Sequence, residues 1–287
     1  MRFLVLGCNG MAGHMISLYL KGQNHAVVGF ARTPSGLVES VVGDAEDRAL
    51  VAATIRNGAF DAVVNCIGLL NQFAENNKAK AAYLNACFPH LLAEITEHTN
   101  TQVIHISTDC VFSGKAGRYT EDAFPDGRSF YDRSKALGEL DDEKNLTLRQ
   151  SIIGPDIKPS GIGLMNWFMQ RDISETVNGY AKTMWTGQTT LQLAKTVEAA
   201  AKDRIHGIYN MVPDQKISKN DLLRLMNRYL RNNALHICTV DGPELDKSLQ
   251  RTRFDFSYRI PDYETMMAEL AQWMRAHKEL YAHYHLI

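Results

Sequence analysis

Short apolar runs alternate with amphipathic segments along the first half of the chain. Continuous β-branched and aliphatic runs predict buried strands, whereas apolar residues that recur every three or four positions predict helices. The predicted strands are 2–6, 25–30, 37–42, 60–68, 102–107 and 146–150. The predicted helices are 14–20, 47–57 and 78–98, with a kink in the last one at Pro89. Strands that alternate with helices indicate a Rossmann-type, doubly wound parallel α/β sheet.

The pattern changes after residue 155, where the glycine, proline and tryptophan content is different. A Met- and aromatic-rich helix is predicted over 161–171, and a second helix ends near 202 with Thr189 as its cap. Strands are predicted at 206–211 and 236–240. Ser218 to Asp221 reads as the capped start of another helix, and a last helix covers 261–281.

Composition narrows the class of protein. The 287 residues are 45% hydrophobic and 22% charged, which is typical of one or two globular domains. A net charge of −1 gives no electrostatic signature of a nucleic acid or anionic membrane partner. No apolar run approaches the ~20 residues of a membrane helix, and the apolar start is too short for a signal peptide. The five scattered cysteines lack a CxxC pair, and the histidines form no ligand cluster, so we expect a cytoplasmic protein without a bound metal.

Three glycines follow the first predicted strand and open the first predicted helix. Gly7, Gly10 and Gly13 give the spacing GxxGxxG. Glycines at such a turn let the backbone approach a pyrophosphate, and the helix N-terminus offers free N–H groups. A plain tight turn is the alternative, but the position between a strand and a helix favours nucleotide binding.

The second strand ends without the acidic residue that would hold the ribose 2′-hydroxyl of NAD. Arg32 stands there instead and can meet a 2′-phosphate, so NADPH is the expected cofactor, with NADH as the alternative. A surface arginine at a strand end is the simpler explanation. Asp44 follows the third strand, where it can either accept from the adenine amino group or cap the next helix.

Two polar groups carry the candidate chemistry. Tyr131 is the one tyrosine with a lysine four positions later, and on a helix Lys135 would lie one turn away. We expect the ammonium to lower the pKa of the phenol and make it a proton donor, although an exposed pair on a solvated helix is the alternative. Ser107 and Thr108 end the fifth strand, where a hydroxyl can bind a substrate carbonyl or form a turn.

Three motifs together resemble the extended short-chain dehydrogenase/reductase family, and within it the dTDP-4-dehydrorhamnose reductase branch. They are GCNGMAG at 7–13, STDCVFSG at 107–114 and YDRSKALGE at 131–139. The resemblance implies an NAD(P)-binding Rossmann domain over 1–155. It also implies a smaller C-terminal domain over 156–287 that mainly binds substrate, with parts returning to the Rossmann domain. The implied activity is NAD(P)H-dependent reduction of a nucleotide-linked 4-keto-6-deoxy sugar for glycan precursor synthesis.

The resemblance also implies residue roles. Tyr131 would donate the proton to the keto oxygen, Lys135 would bind the nicotinamide ribose and lower the pKa of Tyr131, and Thr108 would orient the carbonyl. The implied cofactor-binding residues are Gly7, Asn9, Gly10, Met11, Ala12, Gly13, Arg32, Asp44, Ala45, Cys66, Ile67, Gly68, Asn85, Tyr131 and Lys135. The candidate substrate-binding residues are Ser107, Asp109, Val111, Asn166, Trp185 and Arg251.

Alternatives remain open for some of these residues and for the function. Asn85 can instead fix the loop after the fourth strand or be solvated, and Trp185 can be core packing. An epimerase or dehydratase of the same superfamily is a second enzyme hypothesis, although Asp109-Cys110 replaces the Asp-Glu pair common in dehydratases. A non-catalytic NADP-binding regulatory subunit is a third. Cys110 stands where the branch usually has tyrosine, which leaves the identity of the sugar and of the nucleotide open. Whether the protein forms a homodimer is also open.

Overall fold

The computed structural model describes residues 1–284. Its strands are β1 (Arg2–Leu6), β2 (Ala26–Ala31), β3 (Glu39–Val42), β4 (Ala62–Asn65), β5 (Gln102–Ile106), β6 (Leu146–Arg149), β7 (Ser151–Ile153), β8 (Thr176–Tyr180), β9 (Thr183–Trp185), β10 (Gly187–Thr189), β11 (Gly207–Asn210), β12 (Ile217–Ser218), β13 (His236–Val240) and β14 (Leu245–Asp246). Its α-helices are α1 (Met11–Gly22), α2 (Arg48–Gly58), α3 (Asn71–Asn76), α4 (Lys78–Ala81), α5 (Phe88–Thr96), α6 (Phe130–Leu137), α7 (Leu164–Met169), α8 (Thr190–Asp203), α9 (Lys219–Arg231) and α10 (Tyr263–Ala276). None of the helices in this described part combines the length and apolar character that a membrane span requires.

Seven strands form one parallel sheet in the order β11-β6-β5-β4-β1-β2-β3. The strand order reverses between β1 and β4, which confirms the predicted doubly wound parallel sheet. Ligands of such sheets bind outside the carboxyl ends of the strands, at the point of reversal. Strand β11 comes from the second half of the chain, and α8 packs against α1, so the second half contributes to the sheet and its covering layer.

Strand β1 is buried on both faces, which explains its continuous apolar sequence. Phe3 and Val5 pack in an apolar cluster with residues of α1 and α8, whereas Leu4 and Leu6 pack in a second cluster with residues of α2 and α5. A parallel sheet covered by helices on both sides requires such unbroken apolar strands. The helices and the sheet therefore form three layers around two cores.

The helix predicted over 78–98 is interrupted close to Pro89. Its middle, Ala82–Cys87, is a π-helical turn between α4 and α5, and Pro89 lies in the first turn of α5. Proline lacks the N–H that an uninterrupted helix would use, so the irregularity takes the form of a π-helical turn immediately before it. This turn carries Asn85, which is fully buried.

The second half of the chain adds small sheets beside the main one. Strand β7 pairs with β10, β9 pairs with β12 and β14, and β8 pairs with β13. Helices α9 and α10 pack beside them. Five of these seven strands have two or three residues, too few for a period-two pattern to stand out in the sequence.

Candidate active site

The glycine turn after β1 is closely packed against its own backbone. Gly7 has a φ of +80°, a left-handed conformation that favours glycine. A Cβ on Gly13 would lie 2.1 Å from the Gly7 carbonyl oxygen. Helix α1 begins after Gly10 without a side-chain cap and without an acidic residue in its first turn. Its first N–H groups can therefore receive an anion, and this turn fits a pyrophosphate.

A cavity of about 580 Å³ lies in front of this turn, within the size range of small-molecule sites. The predicted cofactor residues that line it are Gly7, Asn9, Gly10, Arg32, Asp44, Ala45, Cys66, Ile67 and Gly68. The other predicted cofactor residues, Met11, Ala12, Gly13, Asn85, Tyr131 and Lys135, do not line it. The opposite wall is segment 156–161, which contributes Asp156, Ile157, Lys158, Ser160 and Gly161. These residues were not predicted from the sequence. The only sequence feature that pointed to them was the Gly-Pro loop at 154–155, at the end of a predicted strand.

One end of the cavity carries a free positive charge. Arg32 follows β2, is exposed, and forms no ion pair within residues 1–284. The Asp44 carboxylate accepts from the Glu46 N–H at 3.0 Å, and the cap of α2 is Asp47, which accepts from the Leu50 N–H at 3.0 Å. Asp47 therefore takes the capping role considered for Asp44, and Asp44 stays on the cavity wall.

Asn85 holds the loop after β4 in place. Its side-chain oxygen accepts from the Leu69 N–H at 2.8 Å, and its amide nitrogen donates to the Leu69 carbonyl at 2.9 Å and to Ser134 Oγ at 3.1 Å. The solvated alternative for Asn85 is wrong because the side chain is fully buried. Asn85 supports the loop that carries Gly68 rather than facing the cavity.

Helix α6 places Tyr131 and Lys135 in the interior. A capping box fixes its start, since the Asp132 N–H donates to Ser129 Oγ at 3.0 Å and the Ser129 N–H donates to Asp132 Oδ2 at 3.2 Å. Tyr131 and Lys135 are both buried. The alternative of an exposed pair on a solvated helix is therefore wrong.

The expected lowering of the Tyr131 pKa is also wrong in this structure. Burial raises the pKa of Tyr131 well above its usual value, the nearby Cys110 raises it further, and a hydrogen bond with Thr108 lowers it. The Lys135 amine is directed elsewhere, because Nζ donates to the Ile106 carbonyl at 2.7 Å. Desolvation thus outweighs the i, i+4 spacing, and the phenol stays protonated.

A buried polar chain lies behind Lys135. The Ile67 N–H donates to Asn65 Oδ1 at 3.1 Å, so the Asn65 amide nitrogen donates to His105 Nδ1 at 3.1 Å. Burial lowers the pKa of His105 well below its usual value, so the ring is neutral and its proton is on Nε2, 3.2 Å from Lys135 Nζ. The Ile106 carbonyl is the acceptor for the Lys135 amine, and burial lowers the pKa of that amine to about 8.

The two hydroxyls at the end of β5 have different surroundings. Ser107 Oγ donates to Glu139 Oε1 at 2.6 Å, and Glu139 forms a buried ion pair with Arg149 at 2.6 Å. This network occupies Ser107, which corrects its expected contact with substrate. Thr108 Oγ1 accepts from the Cys110 N–H at 3.1 Å and donates to Asp109 Oδ1 at 3.2 Å. It lies beside Tyr131, where it lowers the pKa of the phenol.

Three more substrate candidates have structural roles. The Arg251 guanidinium donates to the carbonyls of Arg253 at 2.7 Å, of Tyr258 at 2.6 Å and of Phe256, so it is not available to a diphosphate. Val111 is fully buried in an apolar cluster, and Trp185 is buried against Tyr263 with ring centroids 5.7 Å apart. For Trp185 the core-packing alternative therefore holds.

Asn166 is likewise buried and directed away from open space. Its amide nitrogen donates to the carbonyls of Pro159 at 3.1 Å and Gly161 at 2.5 Å. These carbonyls belong to the cavity wall 156–161, so Asn166 shapes the cavity from behind instead of contacting a sugar directly.

Two lysines that the sequence interpretation missed approach the end of β5 from the second half. Lys219 is the first residue of α9; its Nζ lies 5.4 Å from the centroid of the Trp185 ring, and its charge acts on Asp109. Lys247 also acts on Asp109, which is buried and whose pKa desolvation raises. Lys219 forms no ion pair in the described part of the chain. A lysine at a helix N-terminus is unfavourable with respect to the helix dipole, so the position of Lys219 was the sequence feature that could have marked it as functional.

The doubly wound sheet, the glycine turn and the buried Tyr131–Lys135 pair define an extended short-chain dehydrogenase/reductase. The chain belongs to the RmlD family, because the family model described as RmlD substrate binding domain matches residues 1–153. It is 26% identical over 286 residues to the dTDP-4-keto-6-deoxy-D-glucose reductase of Streptomyces niveus, covering 96% of this chain and 94% of that protein. It is 32% identical over 139 residues to a probable low-salt glycan biosynthesis reductase of Haloferax volcanii, covering 47% of this chain and 46% of that protein.

The fold also matches solved structures over nearly the whole chain. The dTDP-4-dehydrorhamnose reductase of Bacillus anthracis, solved in complex with NADP, superposes with a TM-score of 0.78 at 18% identity. This match covers 94% of the present chain and 98% of the bacterial one. At this identity the likeness establishes the fold.

Proposed function

We propose that this protein is an NADPH-dependent reductase of a nucleotide-linked 4-keto-6-deoxy sugar in glycan precursor synthesis, with NADH as the alternative cofactor. The observation that carries the proposal is a buried phenol, Tyr131, beside Thr108 at the carboxyl edge of a sheet whose first turn fits a pyrophosphate. The names of the relatives, which are reductases of dTDP-linked keto sugars, support the same substrate class.

The residues of the cavity fit a phosphorylated dinucleotide. The N–H groups at the start of α1 would hold the pyrophosphate, Arg32 the 2′-phosphate, and Asp44 and Ala45 the adenine, with Cys66 to Gly68 on the facing side. When bound, the cofactor supplies the hydride for the carbonyl carbon.

The chain itself supplies the proton and the orientation. A phenol whose pKa is raised is fully protonated at neutral pH, so Tyr131 can donate to the keto oxygen as a general acid. Thr108 would orient that oxygen, and the Lys135 amine would bind the nicotinamide ribose. Lys219 and Lys247 place positive charge beside Asp109, which suits a substrate that carries a diphosphate.

The Rossmann unit is residues 1–155, and 156–287 is mainly the substrate-binding domain, which returns β11 to the sheet. The five free cysteines support a cytoplasmic location. A homodimer stays a prediction, which light scattering on the purified chain would test.

Tyr131→Phe tests the reductase against a non-catalytic NADP-binding subunit. A panel of 4-keto-6-deoxy sugars linked to dTDP, UDP, GDP or CDP would be incubated with NADPH, and its oxidation followed by absorbance. We expect turnover of at least one substrate, a loss of ~10²- to 10⁴-fold in Tyr131→Phe, and unchanged NADPH binding. Tyr229→Phe, which removes a surface hydroxyl bonded to Glu264, is the matched control. Normal turnover by Tyr131→Phe would contradict the assigned proton donor.

A further inference from the structure

The segment 278–284 reaches the glycine turn through His14. Tyr281 Oη lies 2.9 Å from His14 Nε2, and His14 Nδ1 lies 3.0 Å from the Gly10 carbonyl oxygen. A carbonyl oxygen accepts hydrogen bonds and does not donate them, so the ring proton is on Nδ1 and Nε2 accepts from the tyrosine hydroxyl. Burial lowers the pKa of His14 to about 4, which keeps the ring neutral and this arrangement intact. Tyr281 therefore anchors the first wall of the cavity across 267 positions of sequence.

The same segment reaches the opposite wall through Tyr284. Its hydroxyl donates to Asn166 Oδ1 at 2.7 Å and accepts from the Asp156 N–H at 3.0 Å. Asn166 in turn binds the carbonyls of Pro159 and Gly161. One tyrosine hydroxyl thus holds segment 156–161 at its start directly and at its end through Asn166.

The two anchors act on one cavity. Gly10, Asp156 and Gly161 all line it. The rings of Tyr281 and Tyr284 stack with centroids 6.5 Å apart, and both are buried, so their positions are coupled. A shift of either ring would change the distance between the two walls.

Segment 156–161 also carries a free charge. Lys158 lines the cavity and is exposed, and within residues 1–284 its side chain forms no hydrogen bond or ion pair. A lysine in this position is suited to the phosphates of a ligand held against the glycine turn.

We propose that Tyr281 and Tyr284 are positioning residues for the cofactor. They fix the width of the cleft between the glycine turn and segment 156–161 and hold Lys158 towards the phosphates. The inference rests on the proposed function, because it takes the ligand of the cavity to be an anionic dinucleotide. Replacing either residue with phenylalanine keeps the ring and its packing but frees one wall.

The test compares Tyr281→Phe, Tyr284→Phe and their double variant with Tyr229→Phe in the full chain. NADPH affinity is measured by fluorescence titration, stability by thermal unfolding, and the order of segment 156–161 by hydrogen exchange without ligand. We expect each single variant to raise the NADPH Kd about fivefold, the equivalent of one hydrogen bond of ~1 kcal/mol, with no change in Tyr229→Phe. Exchange in 156–161 should be faster in Tyr284→Phe. Lys158→Gln should weaken NADPH binding and reduce its salt dependence.

A fall in melting temperature with an unchanged Kd and unchanged exchange would show that the tyrosines only stabilise the fold, and would overturn the inference. An unchanged Kd in Lys158→Gln would overturn the part assigned to that charge. If the wild-type chain binds neither NADPH nor NADH, the proposed function fails, and hydrogen exchange then decides the inference alone. Faster exchange of 156–161 in Tyr284→Phe supports the positioning role, and unchanged exchange refutes it.

Discussion

Gly13→Ala should open the turn that fits the pyrophosphate. The added Cβ would lie 2.1 Å from the carbonyl oxygen and 2.7 Å from the carbonyl carbon of Gly7. Both are backbone atoms, so no change of side-chain rotamer can relieve the contact. The turn between β1 and α1 must move, and the N–H groups at the start of α1 move with it.

The size of the effect follows from two opposing contributions. Overpacking costs ~1–3 kcal/mol, and alanine regains up to ~1 kcal/mol over glycine within a helix. We therefore expect a net loss of about 1–2 kcal/mol in the free energy of unfolding. NADPH binding should suffer more, because a misplaced hydrogen bond to a charged group loses ~1.5–3 kcal/mol, or about 10- to 100-fold in Kd.

Gly22→Ala is the matched control on the same helix. A Cβ on Gly22 meets no heavy atom within 4 Å, so this variant should be as stable as the wild type or more stable, with an unchanged Kd. Urea unfolding followed by circular dichroism and NADPH fluorescence titration measure both quantities. If Gly13→Ala behaved like Gly22→Ala in both assays, the close packing of the turn and its role in binding would be refuted.

Three further predictions concern charges. Arg32→Gln should raise the Kd for NADPH by ~10- to 100-fold and leave that for NADH unchanged, as titrations with both cofactors would show. Burial lowers the pKa of Lys135 to about 8, so the unfolded chain binds more protons than the folded chain above that pH. The free energy of unfolding of the wild type relative to Lys135→Met should therefore rise between about pH 8 and 10. Guanidinium unfolding should show a rise of up to ~3 kcal/mol. Glu139→Gln leaves Arg149 buried without its carboxylate and should cost ~3–5 kcal/mol, whereas Glu175→Gln in the partly exposed pair with Arg171 should cost less than ~1 kcal/mol in the same assay.

The elements with strong local signals could be predicted from the sequence. The bounds of β1 and β13 agree with the predictions, and Thr189 and Ser218 cap α8 and α9 as expected. These features depend on residues close together in the chain. The two-residue strands β12 and β14 were missed because they are defined by pairing with β9, and nothing in their own sequences requires it.

The candidate site also combines residues that could be predicted from local sequence with residues whose role is set by tertiary packing. Cavity residues such as Gly7 and Gly68 follow strand ends, and in a parallel sheet those ends meet at one edge. Ser107, Asn166 and Arg251 were given substrate contacts because polar side chains near such an edge can face a ligand. Their partners are set by tertiary packing, and one of them, Tyr284, lies 118 positions from Asn166. Sequence spacing does not decide which of several polar groups a side chain will bind.

The Tyr131–Lys135 pair shows the same limit within a single helical turn. The spacing places both residues on one face of α6, but their end groups have different surroundings. The phenol lies beside Thr108, and the amine donates to the Ile106 carbonyl. Because the charge of Lys135 is used elsewhere and burial opposes ionisation, Tyr131 holds its proton, which is the state that a proton donor requires. Thr108 is the group that lowers the pKa of the phenol here. The acidity of the donor therefore depends on the contact between α6 and the segment after β5, and not on the sequence motif alone.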